Sequence, residues 1–191
     1  MSLSLPALAT HDEAHPRAVT GADFDAIVNR HQRKVYRVLL LMVRNPEDAD
    51  NLTQECFLRA YQSMNAFRGE CSVQTWLLRI AVNLARDHAR NRKLAFWKQL
   101  LRLGDEDLPP SGQEPPSPQA SAERGMIARQ ELDAVWQAVD RLSTRQKEVF
   151  ILRFIEEMEL KEIAEVLKIR TGTVKAQLFR AVTSVREQVR K

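Results

Sequence analysis

The chain has 191 residues, and its 29 Lys and Arg against 25 Asp and Glu give a formal net charge of +4 at pH 7. This length predicts one medium domain or two small ones, because domains usually contain about 100 to 150 residues. No apolar run is long enough to span a bilayer, and residues 1–20 lack the basic start and apolar core of a signal peptide. The cysteines, Cys56 and Cys71, have no further Cys or His at metal-ligand spacing, so we expect a cytoplasmic protein without a metal or other cofactor.

The first half of the chain predicts three helices. Residues 1–21 have no helical period and are expected to form a flexible tail. Three- and four-residue steps then predict a first helix with one buried face, formed by Phe24, Ile27 or Val28, His31, Val35, Leu39 and Met42. In "RNPEDADN", Asn45 can cap a second helix and Pro46 suits its first position; this helix should end near residue 66. A loop over 67–74 precedes a third helix from about residue 75 to residue 92 or beyond.

The second half predicts a helix-turn-helix. Residues 98–123 are rich in proline and acidic residues and should form a flexible linker. Helical periodicity then returns: Ser143 and Gln146 have the spacing of a capping box, and "LKEIAEVL" and "TVKAQLFRAVTSVREQVR" flank the short turn "KIRTG". No segment alternates as a strand does, so the predicted fold is all-α, with two small helical domains at 22–97 and 124–191.

The final helix has two contrasting faces. One carries the apolar residues Val174, Leu178, Ala181 and Val185, which should pack inward. The other presents basic, small and apolar groups that could enter a major groove, namely Lys175, Ala176, Phe179, Arg180 and Thr183. An ordinary amphipathic helix with a solvated basic face is the alternative interpretation.

The third helix also has two stripes. Leu77, Ile80 and Leu84, assisted by Ala81, should face the core; the second stripe consists of Arg79, Asn83, Arg86 and Arg90. Positive charge indicates a polyanion, and the aromatic rings of Phe67 and Trp76 beside Gly69 suit stacking on unpaired bases. The alternatives are that both aromatic residues belong to the core, that the loop merely connects helices, and that the charges are solvated.

The second helix begins with an acidic surface of Glu47, Asp48, Asp50, Asn51, Gln54 and Glu55. Such a surface would repel phosphate, so it should point away from any bound DNA. A protein partner is the functional interpretation, and simple solvation is the alternative.

Two long stretches resemble a known family. "VRNPEDADNLTQECFLRAY" followed by "FRGECSVQTWLLRIAVNLARDHARNRK" is similar to the first conserved domain of bacterial sigma factors of the extracytoplasmic-function (ECF) type, group 4 of the sigma-70 family. "LSTRQKEVFILRFIEEMELKEIAEVLKIRTGTVKAQLFRAV" resembles their second conserved domain. The resemblance implies a non-enzymatic initiation factor with a region 2 domain at 22–97 and a region 4 domain at 124–191.

The resemblance also implies partners and sites. The partners would be core RNA polymerase, through the clamp of its largest subunit and the flap of the second-largest, promoter DNA, and an anti-sigma factor. Core polymerase would be bound by Asp48, Asp50, Asn51, Gln54 and Glu55. Melted −10 DNA would be bound by Phe67, Arg68, Gly69, Cys71, Ser72, Trp76, Arg79, Asn83, Arg86, Asp87 and Arg90. The −35 duplex would be read by Arg170, Thr171, Thr173, Lys175, Ala176, Phe179 and Arg180.

The chain departs from the family pattern at several positions. Asn51 replaces a usual Asp, Lys168 stands at a frequent turn Gly, and Ala176 and Gln177 replace a common Ser and Arg, which leaves the −35 sequence open. Two other functions are compatible with these residues: a helix-turn-helix regulator that binds duplex DNA without polymerase, and a helical protein-interaction adaptor. The adaptor explains the charge but not the aromatic-glycine loop.

Overall fold

The computed structural model describes residues 21–102 and 133–190. Over these residues the chain is all-α, as the sequence predicts. Nearly all of the predicted tail (1–21) and most of the predicted linker (98–123) lie outside the described residues.

The first domain consists of α1 (Gly21–Val43), α2 (Pro46–Ser63), a 3-10 turn (Met64–Ala66) and α3 (Val73–Arg102). The junction of α1 and α2 follows the local chemistry: Arg44 has a left-handed φ of 58°, and the Asn45 side chain accepts the Asp48 N–H at 2.9 Å. Helix α3 continues past residue 97, the end expected for the domain. Leu39, Cys56 and Leu77 are fully buried between the three helices and form the centre of the core.

The second domain contains helical residues 133–140 (α4), α5 (Thr144–Phe154), α6 (Leu160–Leu167) and α7 (Thr171–Val189). The predicted capping box is present, since Gln146 Oε1 accepts the Ser143 N–H at 3.1 Å and Ser143 Oγ accepts the Gln146 N–H at 3.5 Å. Between α6 and α7, Lys168 adopts a left-handed φ of 52°, the conformation that glycine usually supplies at a helix end. Helices α6 and α7 thus form the predicted helix-turn-helix.

The two domains pack against each other. Val38 of α1 and Val82 of α3 are fully buried in one cluster with Ile151 of α5 and Ile163 of α6. This shared core places α6 against α3, beside the stripe of arginines identified in the sequence.

Candidate functional site

The predicted polymerase-binding residues lie along one side of α2, which we call the acidic face (Asp48, Asp50, Asn51, Gln54 and Glu55). Asp50, Asn51 and Gln54 are exposed, and Gln54 Nε2 donates to Asp50 Oδ2 at 2.9 Å. The two other members are half-buried and paired: Asp48 Oδ1 lies 3.4 Å from His88 Nε2, and Glu55 Oε1 accepts from Arg59 Nε at 2.7 Å. The face therefore combines three exposed polar groups with two carboxylates held within the first domain.

Two large apolar side chains continue the acidic face along α2. Leu58 is 52% exposed and Tyr61 is 55% exposed, at the positions four and seven residues after Gln54. Residues at this spacing share a helix face, so an apolar patch adjoins the acidic one. Leu58 and Tyr61 were not among the predicted site residues, although their position on the polar side of an amphipathic helix was visible in the sequence.

The aromatic-glycine loop lies between the 3-10 turn and α3 and spans residues 67–72, because α3 begins at Val73 rather than at about residue 75 as predicted. This loop is locally ordered by contacts of its own residues. Phe67 stacks on Trp76 with ring centroids 4.7 Å apart and an interplanar angle of 28°. Gly69 has a φ of 72°, in the region that favours glycine, and no atom lies within 4 Å of the position that a Cβ would occupy. Ser72 Oγ accepts the Thr75 N–H at 3.0 Å, so this side chain supplies a hydrogen-bond partner for a backbone N–H in the first turn of α3.

An open cavity of about 590 Å³ lies between this loop and α3. Its lining includes Phe67, Arg68, Cys71, Trp76 and Arg79 from the first domain, and Glu165 from α6 of the second. Ligand pockets commonly measure about 300 to 1,000 Å³, so the cavity is large enough for a nucleobase. The structure thus brings five of the residues predicted for −10 DNA to one cavity, whereas Gly69 and Ser72 do not line it. Two acidic residues, Glu70 of the loop and Glu165 of the other domain, also belong to the lining.

The basic face of α3 (Arg79, Asn83, Arg86, Asp87 and Arg90) is partly engaged within the protein. Arg86 donates from Nε and Nη2 to the two carboxylate oxygens of Glu148 at 2.6 and 2.7 Å. Its hydrogen bonds to Glu148 raise the pKa of Arg86, against an opposing effect of burial. Arg79 Nε donates to the backbone oxygen of Glu165 at 3.2 Å.

The other members of the basic face remain on the first domain. Asn83 is exposed and its Oδ1 accepts from Arg86 Nη1 at 3.3 Å. Arg90 Nη2 lies 3.0 Å from Asp87 Oδ1, and Arg90 is exposed. Only part of the predicted polyanion surface is therefore open to a ligand in this arrangement.

The residues predicted to read the −35 duplex surround the start of α7, and we call them the recognition face (Arg170, Thr171, Thr173, Lys175, Ala176, Phe179 and Arg180). All are exposed except Thr171, which is half-buried. Phe179 is 74% exposed, whereas Val174 and Ala181 on the opposite side are fully buried. The two faces expected from the sequence are therefore present.

Sequence reasoning missed the acidic residues with which the second domain contacts the first. Glu148 and Glu156 are buried, and Glu156 Oε1 accepts from Arg37 Nε and Nη2 at 2.9 and 2.7 Å. The available signal was a carboxylate within or beside the apolar run "EVFILRFI", since buried carboxylates normally have a cationic partner. The sequence contained no indication of which arginines those partners would be.

Two absences concern the described part of the chain. Within residues 21–102 and 133–190, no helix has the length and apolar content needed to cross a membrane. In the same two ranges, no cluster of three or more His, Cys, Asp or Glu side chains could hold a metal ion.

Comparison with known families finds two matches in chain order. Residues 27–94 match Sigma-70 region 2, and residues 132–185 match Sigma-70, region 4. The chain is 30% identical to the ECF RNA polymerase sigma factor SigW of Bacillus subtilis, over 87% of this chain and 89% of the relative. It is 32% identical to the RNA polymerase sigma-H factor of Pseudomonas aeruginosa, over 83% of this chain and 81% of the relative.

Solved structures show the same fold. The sigma factor RpoE, in complex with the anti-sigma factor NepR from Bartonella quintana, aligns with a TM-score of 0.67 at 19% identity, covering 88% of this chain and 97% of that one. CnrH, in complex with the cytosolic domain of CnrY, aligns with a TM-score of 0.61 at 23% identity, covering 88% of each chain.

Proposed function

This chain belongs to the ECF group of RNA polymerase sigma factors, and from that membership we propose how its surfaces divide the work of promoter-directed transcription initiation. Its partners are core RNA polymerase and promoter DNA. It acts as an initiation factor in the cytoplasm with no catalytic activity of its own, because RNA synthesis is the chemistry of the polymerase. An anti-sigma factor is a further partner, as in the complexes of RpoE and CnrH.

The acidic face binds the clamp of the largest polymerase subunit, and the second domain binds the flap of the second-largest. Support for the clamp contact comes from the exposed polar groups of Asp50, Asn51 and Gln54, next to the exposed side chains of Leu58 and Tyr61. A surface that joins acidic and apolar groups suits a protein partner better than a phosphate backbone. The charge of the acidic face sets the orientation of docking, and the apolar patch supplies buried area.

The aromatic-glycine loop holds a base extruded from the melted −10 element. Extruding a base costs a few kcal/mol, and stacking on an aromatic ring returns about 1 to 3 kcal/mol per base. The stacked pair of Phe67 and Trp76 provides that ring, and the open space beside Gly69 allows the backbone to approach the base. The basic face of α3 then follows the phosphates of the same strand.

The recognition face reads the −35 element as a duplex. Lys175 and Arg180 suit phosphates or guanine edges, Ala176 permits close approach, and the exposed ring of Phe179 suits a thymine methyl group.

The single observation that carries the whole assignment is the cavity lined by the stacked aromatic pair beside an arginine stripe. A regulator that binds only duplex DNA has no use for such a cavity.

Run-off transcription tests the proposal. Purified chain is added to core polymerase and a library of genomic fragments, and the transcripts are mapped. We expect initiation that depends on both the chain and the core enzyme, from sites sharing −35 and −10 sequences. Absence of initiation with an active core enzyme would refute the proposal.

The two other functions give different results. A stand-alone regulator would bind an operator as a dimer without polymerase, and it would not start transcription. An adaptor would bind its partner regardless of promoter sequence, even after Arg79, Arg86 and Arg90 are changed to Ala. Gel-shift assays with and without core polymerase distinguish these outcomes.

A further inference from the structure

We propose that the first domain holds a second unpaired base, in a groove between α2 and α3 about one helical turn from the aromatic cavity, and that side-chain amides select adenine there. The inference rests on the proposed function, because it adds a neighbouring nucleotide to the strand that the aromatic-glycine loop engages. The position of the groove, the side chains that line it and the charge beside it carry the inference.

The groove continues the aromatic cavity along α3. Its volume is about 400 Å³, within the range of about 300 to 1,000 Å³ that ligand pockets have. Ile80 and Asn83 line it on α3, and each lies four positions after a residue of the aromatic cavity, Trp76 or Arg79. Residues four apart share a helix face and are separated by about 6 Å along the axis. Successive bases in one strand of B-DNA are about 3.4 Å apart, and an unstacked strand is longer, so the neighbouring base can reach the groove.

Two side-chain amides face each other across the groove. Gln62 belongs to the α2 wall and Asn83 to the α3 wall, and both residues are exposed. Arg86 Nη1 donates to Asn83 Oδ1 at 3.3 Å, so Asn83 still has its amide nitrogen to donate to a base. An amide presents a donor beside an acceptor, and Asn and Gln pair in this way with N6 and N7 of adenine. The two walls therefore favour adenine.

Ser63 and Ile80 complete the contacts that a base needs. Ser63 Oγ donates to the backbone oxygen of Arg59 at 2.6 Å, so its lone pairs are left to accept an N–H of the base. Ile80 is half-buried and packs against the core of the first domain, which fixes an apolar side chain at the groove. An extruded base is held by hydrogen bonds to its edge and by apolar side chains against its face, and the groove offers both.

Arg59 places a positive charge at the groove. Its Nε donates to Glu55 Oε1 at 2.7 Å, and the two Nη groups of the guanidinium can still bind a phosphate. The described residues that line the groove are one basic, three uncharged polar and one apolar, whereas Glu70 and Glu165 line the aromatic cavity. The groove therefore opposes the negative backbone of a single strand less than the aromatic cavity does.

Substitution of Gln62 by Ala tests the second site. Gln62 is exposed on α2, and Ala is the best helix former, so the helix should be retained. The matched control is Gln32→Ala, which removes an exposed amide from α1, outside the groove. The assay is the lifetime of the open complex made by core polymerase with the full-length chain. The promoter is used intact and with one nucleotide of the −10 element at a time made abasic in the melted strand.

On the intact promoter, Gln62→Ala should shorten the lifetime about three- to tenfold, as expected for the loss of one or two hydrogen bonds. One abasic position should abolish this effect, because the base that Gln62 contacts is already missing there. The effect of Trp76→Leu should disappear at the adjacent nucleotide instead. Gln32→Ala should have no effect on any of these templates.

Three results would overturn the second site. The first is an unchanged lifetime in Gln62→Ala. The second is an effect of equal size at every abasic position, which would assign Gln62 to the phosphates or to the polymerase. The third is an effect that disappears at the same nucleotide as that of Trp76→Leu, because the two residues would then bind one base.

Binding of the full-length chain to fluorescein-labelled single strands of about 12 nucleotides tests the selection of adenine without initiation. Gln62→Ala should weaken binding to oligo-dA several-fold and leave binding to oligo-dT nearly unchanged, because the amide pairs with N6 and N7 of adenine. An equal loss on both strands, or no loss on oligo-dA, would contradict that selection.

Run-off transcription of the wild type separates this inference from the proposed function. A chain that initiates, but in which the effect of Gln62→Ala depends on no particular base, retains the function and loses the second site. A chain that never initiates, but in which Gln62→Ala weakens binding to oligo-dA alone, retains the base-binding groove and loses its role at promoters.

Discussion

Substitution of Trp76 by Leu tests whether the aromatic-glycine loop holds an unpaired base. Leu preserves an apolar side chain, which matters because Trp76 also packs against the core of the first domain. The ring of Phe67 stacks on the indole at a centroid distance of 4.7 Å, and both rings line the cavity, so a base that enters it can stack on this pair. Loss of one stacking contact should destabilise the open complex by about 1 to 3 kcal/mol, or roughly 5- to 150-fold.

The assay is the lifetime of the open complex on a promoter that the chain transcribes. Holoenzyme is assembled on the promoter and challenged with a competitor, and permanganate reactivity reports the remaining melted DNA. The controls are Trp76→Tyr, which keeps an aromatic face and should retain most of the lifetime, and affinity for core polymerase, which should be unchanged in both variants.

Two results would refute this reasoning. An open complex of wild-type lifetime with Trp76→Leu would show that the ring does not stack on DNA. A loss of core binding or of helical structure in Trp76→Leu would show that the ring serves the fold, the alternative that the sequence left open.

Four further predictions follow from individual residues. Burial raises the pKa of Cys56 to about 12, so at pH 8 only about one Cys56 thiol in 10,000 is ionised. Iodoacetamide should therefore modify the half-buried Cys71 before Cys56, and equal rates of modification of the two residues by mass spectrometry would contradict this. Ser143→Ala should lower the free energy of unfolding in urea by about 1 kcal/mol, because the N-cap of α5 is lost, whereas Ser143→Asp should have little effect. Burial and neighbouring positive charges lower the pKa of His31, so on acidification the unfolded chain binds a proton at a higher pH than the folded chain does. The stability of the fold should therefore decrease as the pH drops below about 6.5. In thermal melts, His31→Gln should make that decrease smaller. Arg180→Ala should reduce the salt dependence of −35 binding by the holoenzyme by about 0.9 in log–log slope without altering core affinity; an unchanged slope would remove Arg180 from the phosphate contacts.

Local chemistry explains why much of the fold was predictable. Asn45 and Pro46 begin α2, and Ser143 and Gln146 begin α5, because a helix start is decided by groups within one turn. The inward face of α7 was predictable for a similar reason: apolar residues at helical spacing must be buried somewhere. Less predictable was Lys168, which ends α6 in the left-handed conformation that a lysine rarely adopts.

The sequence by itself also grouped the candidate residues into surfaces. The acidic face, the aromatic-glycine loop, the basic face and the recognition face each lie within one helix or one loop, so spacing along the chain was enough to group them. Their roles on polymerase and DNA stay predictions.

Only the tertiary structure decided which of these groups are free. Arg79 and Arg86 belong to the same stripe as Arg90, and nothing in their spacing sets them apart. In the folded chain the first two contact the second domain while Arg90 stays exposed, because α6 places the Glu165 backbone oxygen beside Arg79 and α5 places the Glu148 carboxylate beside Arg86. Glu148 lies 62 positions from Arg86, and a pairing over such a separation depends on how two domains dock, which helical periodicity does not encode.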